Sequence, residues 1–140
     1  MQVHAMAGHL IRRLQQHSAQ VFASHTRDAG FDITSVQFAA LDAIQANPGI
    51  DQAGVAALIA YDRPTIGEVI NRLVAKGLVT RAVNDADRRA RVLALTPDGA
   101  ETYARMLPVV QALQDEILAR LAPADRAALL DLIRTAIGQD

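Results

Sequence analysis

Apolar residues recur along most of the chain at helical spacing, and Gly, Pro and small polar residues mark where each run begins and ends. Met6, Leu10, Leu14 and Val21 fall on one stripe of a wheel advancing ~100° per residue, with Arg12, Gln16 and Gln20 away from it. The spacing predicts a first helix from about His4 to Ala29, stopped at Gly30. Thr34-Ser35-Val36-Gln37 is a capping box, because the Thr hydroxyl and the Gln side chain can each satisfy an orphan amide. It predicts a second helix through Phe38, Leu41 and Ile44 to Ala46, broken by Asn47-Pro48-Gly49. Asp51 is placed to cap a short third helix, Gln52 to about Ile59. Asp62 is placed to cap a fourth, Arg63 to Lys76, with Pro64 in its first turn and Gly77 as its stop. Two such helices about three residues apart read as a helix-turn-helix.

The texture then changes. Leu78 to Asn84 and Arg91 to Leu95 alternate like strands, and the charged run Asp85-Ala86-Asp87-Arg88-Arg89-Ala90 between them reads as a hairpin tip. Thr96-Pro97-Asp98 opens a further helix to about Leu121, with a kink expected at Pro108; Pro123 opens a last one to about Gly138. Val110, Leu113, Ile117 and Leu121, then Leu129, Leu130, Ile133 and Ile137, form apolar stripes. A chain this small has little of its own to cover them, so they point to self-association.

Composition narrows the function. A length of 140 residues with 51% hydrophobic and 21% charged residues suits one domain, 1–140, with a packed core. The absence of cysteine removes disulfides, thiol catalysis and thiolate zinc sites, and 4% aromatics argues against single-strand binding by base stacking. The net charge of −1 is unevenly spread. Ala60 to Arg91 carries seven basic and four acidic residues, a local +3 against −4 elsewhere. Such a field can steer one face toward phosphate. No apolar run approaches the roughly 18 to 20 residues of a membrane span, and the N-terminus lacks a signal-peptide pattern, so a cytoplasmic protein is expected.

The second helix of a helix-turn-helix enters the major groove. With Ile66, Val69, Ile70 and Leu73 facing inward, Arg63, Thr65, Glu68 and Arg72 face out, near Pro64 and Gly67. Arg63 could fork to guanine, Thr65 could bond a base or phosphate, and Glu68 could accept from cytosine. Lys76 and Arg81 are expected at phosphates. The hairpin places Arg88 and Arg89 where an adjacent minor groove would concentrate negative potential. An ordinary polar helix face and a solvated loop are the plainer alternatives.

The order and spacing of Thr34 to Leu41, Asp62 to Ile66, Asn71 to Val79, Asp85 to Arg91 and Leu95 to Gly99 resemble the MarR family of regulators. The resemblance implies a mainly α fold, a winged helix-turn-helix with six helices and a β-wing between the fourth and fifth. Residues 34–96 would form the DNA-binding lobe, and 1–30 with 97–140 the dimerisation helices of an intertwined homodimer. It implies a repressor on a near-palindromic double-stranded operator, relieved by a small aromatic acid, with no cofactor. The family's wing Asp and following arginines match Asp87, Arg88 and Arg89. Gly67 and Glu68 depart from the small hydroxyl and basic residues common there, which suggests a different operator preference.

On the first helix His17 lies near the centre of the apolar stripe, with Arg13 one turn before it and His9 one turn before that. Arg13 could take a carboxylate bidentately while His17 reads a ring heteroatom or hydroxyl. Tyr61 could line the floor of such a pocket. Alternatively, His17 is a satisfied interface histidine and Arg13 snorkels from the dimer seam. The runs Ala7 to Gln16 and Ala60 to Gly67 resemble the MarR branch associated with nicotinate and related aromatic acids, which implies a hydroxylated pyridine carboxylate or analogue. Three rivals remain: a zinc-responsive regulator using His4, His9, His17 or His25, a protein-interaction module with no DNA role, and a small enzyme. No two of those histidines have metal-pair helical spacing, and no catalytic motif is present.

Overall fold

A computed structural model of the chain describes residues 1–83, 86 and 91–139. Among them are six α-helices and one two-stranded sheet: α1 (Ala7–Asp28), α2 (Ser35–Ala46), α3 (Gln52–Leu58), α4 (Arg63–Ala75), β1 (Val79–Val83), β2 (Arg91–Leu95), α5 (Pro97–Ile117) and α6 (Pro123–Ala136).

Four helices begin where the sequence places a cap. Thr34 Oγ1 accepts from the Gln37 amide at 3.2 Å, and Gln37 Oε1 accepts from the Thr34 amide at 3.1 Å, closing the capping box. Asp51 and Asp62 each accept at 2.7 Å from the amide three residues on, and Thr96 accepts from Gly99 at 2.9 Å. Two expected boundaries need correction. The first helix does not reach back to His4: Gln2–Ala5 is a separate 3-10 turn, and extended backbone at Met6 (φ −86°, ψ 134°) divides it from α1. The fifth stops at Ile117, not Leu121. Pro123 requires an extended residue before it, and Ala122 is so (φ −61°, ψ 151°). The chain therefore leaves the helix upstream, through tight turns in which Leu121 donates to the Leu118 carbonyl at 2.9 Å.

β1 and β2 pair antiparallel from Val79↔Leu95 to Val83↔Arg91. Leu93 also donates to the Ile50 carbonyl at 2.9 Å, which seats β2 against the segment between α2 and α3. The core runs through both parts of the molecule. Leu41, Val55, Ile66, Ile70, Leu73 and Leu93 fill the helix-turn-helix lobe, and Phe22, Met106, Val110 and Leu113 continue it between α1 and α5. The Tyr103 ring stacks on Phe38 at 5.6 Å, and its hydroxyl donates to Asp42 Oδ1 at 2.5 Å. That bond pushes the phenol up to about 12 and fastens α5 to α2.

The junction of α4, β1 and α5 is tightly made. Gly77 takes φ +74°, Thr96 Oγ1 donates to the Gly77 carbonyl at 2.7 Å, and the Thr96 amide donates to the Leu78 carbonyl at 3.0 Å. Gly99 lies against this turn: a Cβ there would sit 1.9 Å from the Leu78 carbonyl oxygen. The far end of the molecule is different. Met6, Leu10, Ile11 and Leu14 around α1 are exposed, as are Leu130, Leu132, Ile133 and Ile137 around α6, and α6 buries none of its own residues.

Candidate nucleic-acid interface and an arginine-lined cleft

The turn between α3 and α4 is short because Ala60 takes the left-handed conformation, φ 59°, which lets Asp62 follow as a cap. Thr65 bonds the Asp62 carboxyl through its hydroxyl and its amide, and these bonds hold that carboxyl below the usual carboxylate range. The start of α4 is thereby fixed. Ile66, Val69, Ile70 and Leu73 are buried, as their spacing requires. Arg63, Pro64, Glu68 and Arg72 are exposed on the opposite side, with Thr65 and Gly67 half-buried.

Two cations expected at phosphates are engaged within the fold. Arg81 Nη2 donates to Asn71 Oδ1 at 2.6 Å, tying β1 to α4. Asn71 has no distinguishing local pattern, and the pairing could not be foreseen from spacing. Lys76 turns toward the segment between α1 and α2: Nζ donates to the Asp32 carbonyl and, at 3.2 Å, to Gln37 Oε1. At the C-cap of α4, Lys76 is thus bonded within the fold while its side chain stays 31% exposed. Arg88 and Arg89, with Asp85 and Asp87, lie outside the described residues.

Arg13 and His17 line one open cleft of ≈ 530 Å3, together with Leu14, Ile117, Leu118 and Leu129. His17 Nε2 lies 2.9 Å from the Ile117 carbonyl. A carbonyl only accepts, so Nε2 carries the proton and Nδ1 is left as the acceptor of the neutral ring. The same cleft holds Glu116 and Arg120, which the sequence reading missed. Periodicity runs the helix through that stretch, whereas α5 ends at Ile117 and Arg120 lines the cleft from the turn beyond it. Among the described residues no ion pair engages Arg13 or Arg120.

His9 and Tyr61 do not line this cleft. His9 sits in the first turn of α1, its ring stacked on His4 at 5.4 Å, with Nε2 buried and without a hydrogen-bond partner. Tyr61 belongs to the exposed turn before α4. Among the described residues no group of three or more His, Asp or Glu could hold a metal ion, and no helix is long and apolar enough to cross a membrane.

Residues 31–90 match the MarR family. The HTH-type transcriptional repressor NicR of Pseudomonas putida is 31% identical over 133 residues, covering 95% of this chain and 83% of NicR. The PcaV transcriptional regulator of Streptomyces coelicolor, solved with its natural ligand, is 34% identical. It superposes with a TM-score of 0.88 over 97% of this chain and 94% of PcaV. BpsR of Bordetella bronchiseptica, whose DNA binding is regulated by 6-hydroxynicotinic acid, is 31% identical with a TM-score of 0.87 over 97% of this chain and 96% of BpsR. Sharing both the fold and 31–34% of its residues with such regulators over nearly its full length, the chain belongs to the MarR family of winged helix-turn-helix DNA-binding transcriptional regulators.

Proposed function

We propose that the protein is a homodimeric repressor released from a pseudo-palindromic operator by a small aromatic carboxylate. The observation that carries the effector reading is the convergence of Arg13 and His17 in one apolar-walled cleft. Arg13 offers a carboxylate a planar pair of donors, His17 offers Nδ1 to a ring hydroxyl or N–H, and the leucine and isoleucine walls face the ring. The likeness to NicR, and to BpsR with its response to 6-hydroxynicotinic acid, favours a hydroxylated pyridine or benzene carboxylate.

Two copies would join through the exposed apolar faces of α1 and α6, with residues 1–30 and 97–140 as the dimerisation helices and 34–96 as the reading lobe. Arg63, Pro64, Thr65, Glu68 and Arg72 would then meet the major groove, and Arg88 and Arg89 the minor groove beside it. The effector shifts the population toward a spacing of the two α4 helices that no longer fits successive grooves, so it must bind the two states unequally.

A thermal-shift panel of aromatic acids, with 6-hydroxynicotinic acid and benzoate included, tests the cleft. A binder at 100 times its Kd adds about 2.7 kcal/mol, and Arg13→Ala should abolish that gain. A hit that stabilises Arg13→Ala as well as the parent would place the effector elsewhere.

A further inference from the structure

The C-terminal end of α4 is gripped from both sides. On one side Thr96 bonds the carbonyls of Gly77 and Leu78, and Gly99 packs on Leu78, so the start of α5 holds the α4–β1 turn. On the other, Lys76 reaches a segment 44 residues earlier in the chain. Its Nζ donates to the Asp32 carbonyl and to Gln37 Oε1 at 3.2 Å, and stands 3.8 Å from the Asp32 carboxylate. That carboxylate is fully exposed, so its pairing is screened and weak. The two uncharged acceptors define the contact, each bonded to a charged donor.

Both acceptors are themselves fixed. Gln37 is only 4% exposed, and its Oε1 also accepts from the Thr34 amide. The segment that carries Asp32 is anchored by Phe31, whose amide donates to the Thr26 carbonyl at 2.9 Å. The Arg105 guanidinium lies over the Phe31 ring at 5.4 Å, and Ile33 is in the core. A helix of 13 residues is about 20 Å long, so a tilt of about 10° about its start moves its end by about 3 Å, a full hydrogen-bond length. Tilting α4 therefore draws the Lys76 stem away from both acceptors.

We propose that Lys76 is a positioning residue: it braces the end of α4 against the segment leaving α1 and so sets the angle at which α4 meets DNA. The proposal rests on the docking of α4 in the major groove. It assigns Lys76 no phosphate, and it separates this residue from the DNA-facing arginines. An angle matters to base contacts, which are made only in register, and hardly at all to the diffuse attraction between cations and any duplex.

The test uses the full-length protein, an operator duplex enriched from random sequence, and a non-operator duplex of the same length, each titrated across salt. Lys76→Met keeps the alkyl stem and should weaken operator binding at least about fivefold, leaving non-operator affinity and the salt slope unchanged. Gln37→Met removes no charge, is too buried to touch DNA, and should act in the same direction. In the double variant the two effects should add to less than their sum, because the bond between Lys76 and Gln37 is lost only once, while Gln37→Met also opens the α2 capping box. A slope reduced by about 0.9 for each lysine removed, with non-operator binding weakened in parallel, would make Lys76 a phosphate contact and overturn the proposal. Operator affinity unchanged in Lys76→Met would overturn it too. Arg63→Ala, titrated alongside, isolates the docking reading: if it binds the operator as the parent does, that reading fails instead.

Discussion

Gly67 and Gly99 both lie inside helices, and their neighbours set opposite outcomes for the same substitution. Nothing but Gln52 Nε2, 3.8 Å away, would touch a Cβ on Gly67. Gly67→Ala should therefore raise stability by about 0.5–1 kcal/mol, the entropy that glycine forfeits in a helix. A Cβ on Gly99 would meet the Leu78 carbonyl at 1.9 Å, and a backbone atom cannot swing aside. Gly99→Ala should lose about 1–3 kcal/mol, the range of an overpacked site. Urea midpoints of the two variants check both signs. Ala60 adds a third case: at φ 59° it carries a left-handed strain of roughly 1–2 kcal/mol, so Ala60→Gly should shift the midpoint upward.

At the scale of elements, the start of α4 carries a pH-sensitive cap. The Asp62 carboxyl is held low by Thr65 in the folded chain and is at its ordinary value, 3.8, when unfolded. The ionised cap thus stabilises the helix fully above that ordinary value, and the gain disappears as pH falls through the lowered one. Thermal melts of the parent and Asp62→Ala should be separated at neutral pH and converge in acid; a constant separation would contradict the capping role. That cap was legible in the sequence, as were those at Thr34, Asp51 and Thr96, because a cap and its target amide are three residues apart. The inward stripe of α4 was legible for the same reason. The ties that unite the elements were not. Arg81 meets Asn71 across 10 residues, Lys76 meets Asp32 across 44 and His17 meets Ile117 across 100. Arg81 and Lys76 read as surface charges, and His17 as a residue of the apolar stripe, until the fold brings their partners near. Arg120 was missed because the end of α5 depends on how Pro123 constrains Ala122, a boundary effect that periodicity alone overruns.

In the whole molecule, a well-packed reading lobe contrasts with apolar surface left open on α1 and α6. If two copies cover that surface, Ile133→Glu should yield a monomer in light scattering while leaving the lobe folded, and operator affinity should fall because two half-sites are no longer engaged by one particle. The measurement that tests the account most directly is selection of bound duplexes from a random-sequence pool by the full-length protein. Two α4 helices presented by a symmetric dimer predict enrichment of an inverted repeat with half-site centres about 10 bp, or a multiple of that, apart. Enrichment of a single asymmetric site, or of no sequence at all, would contradict it.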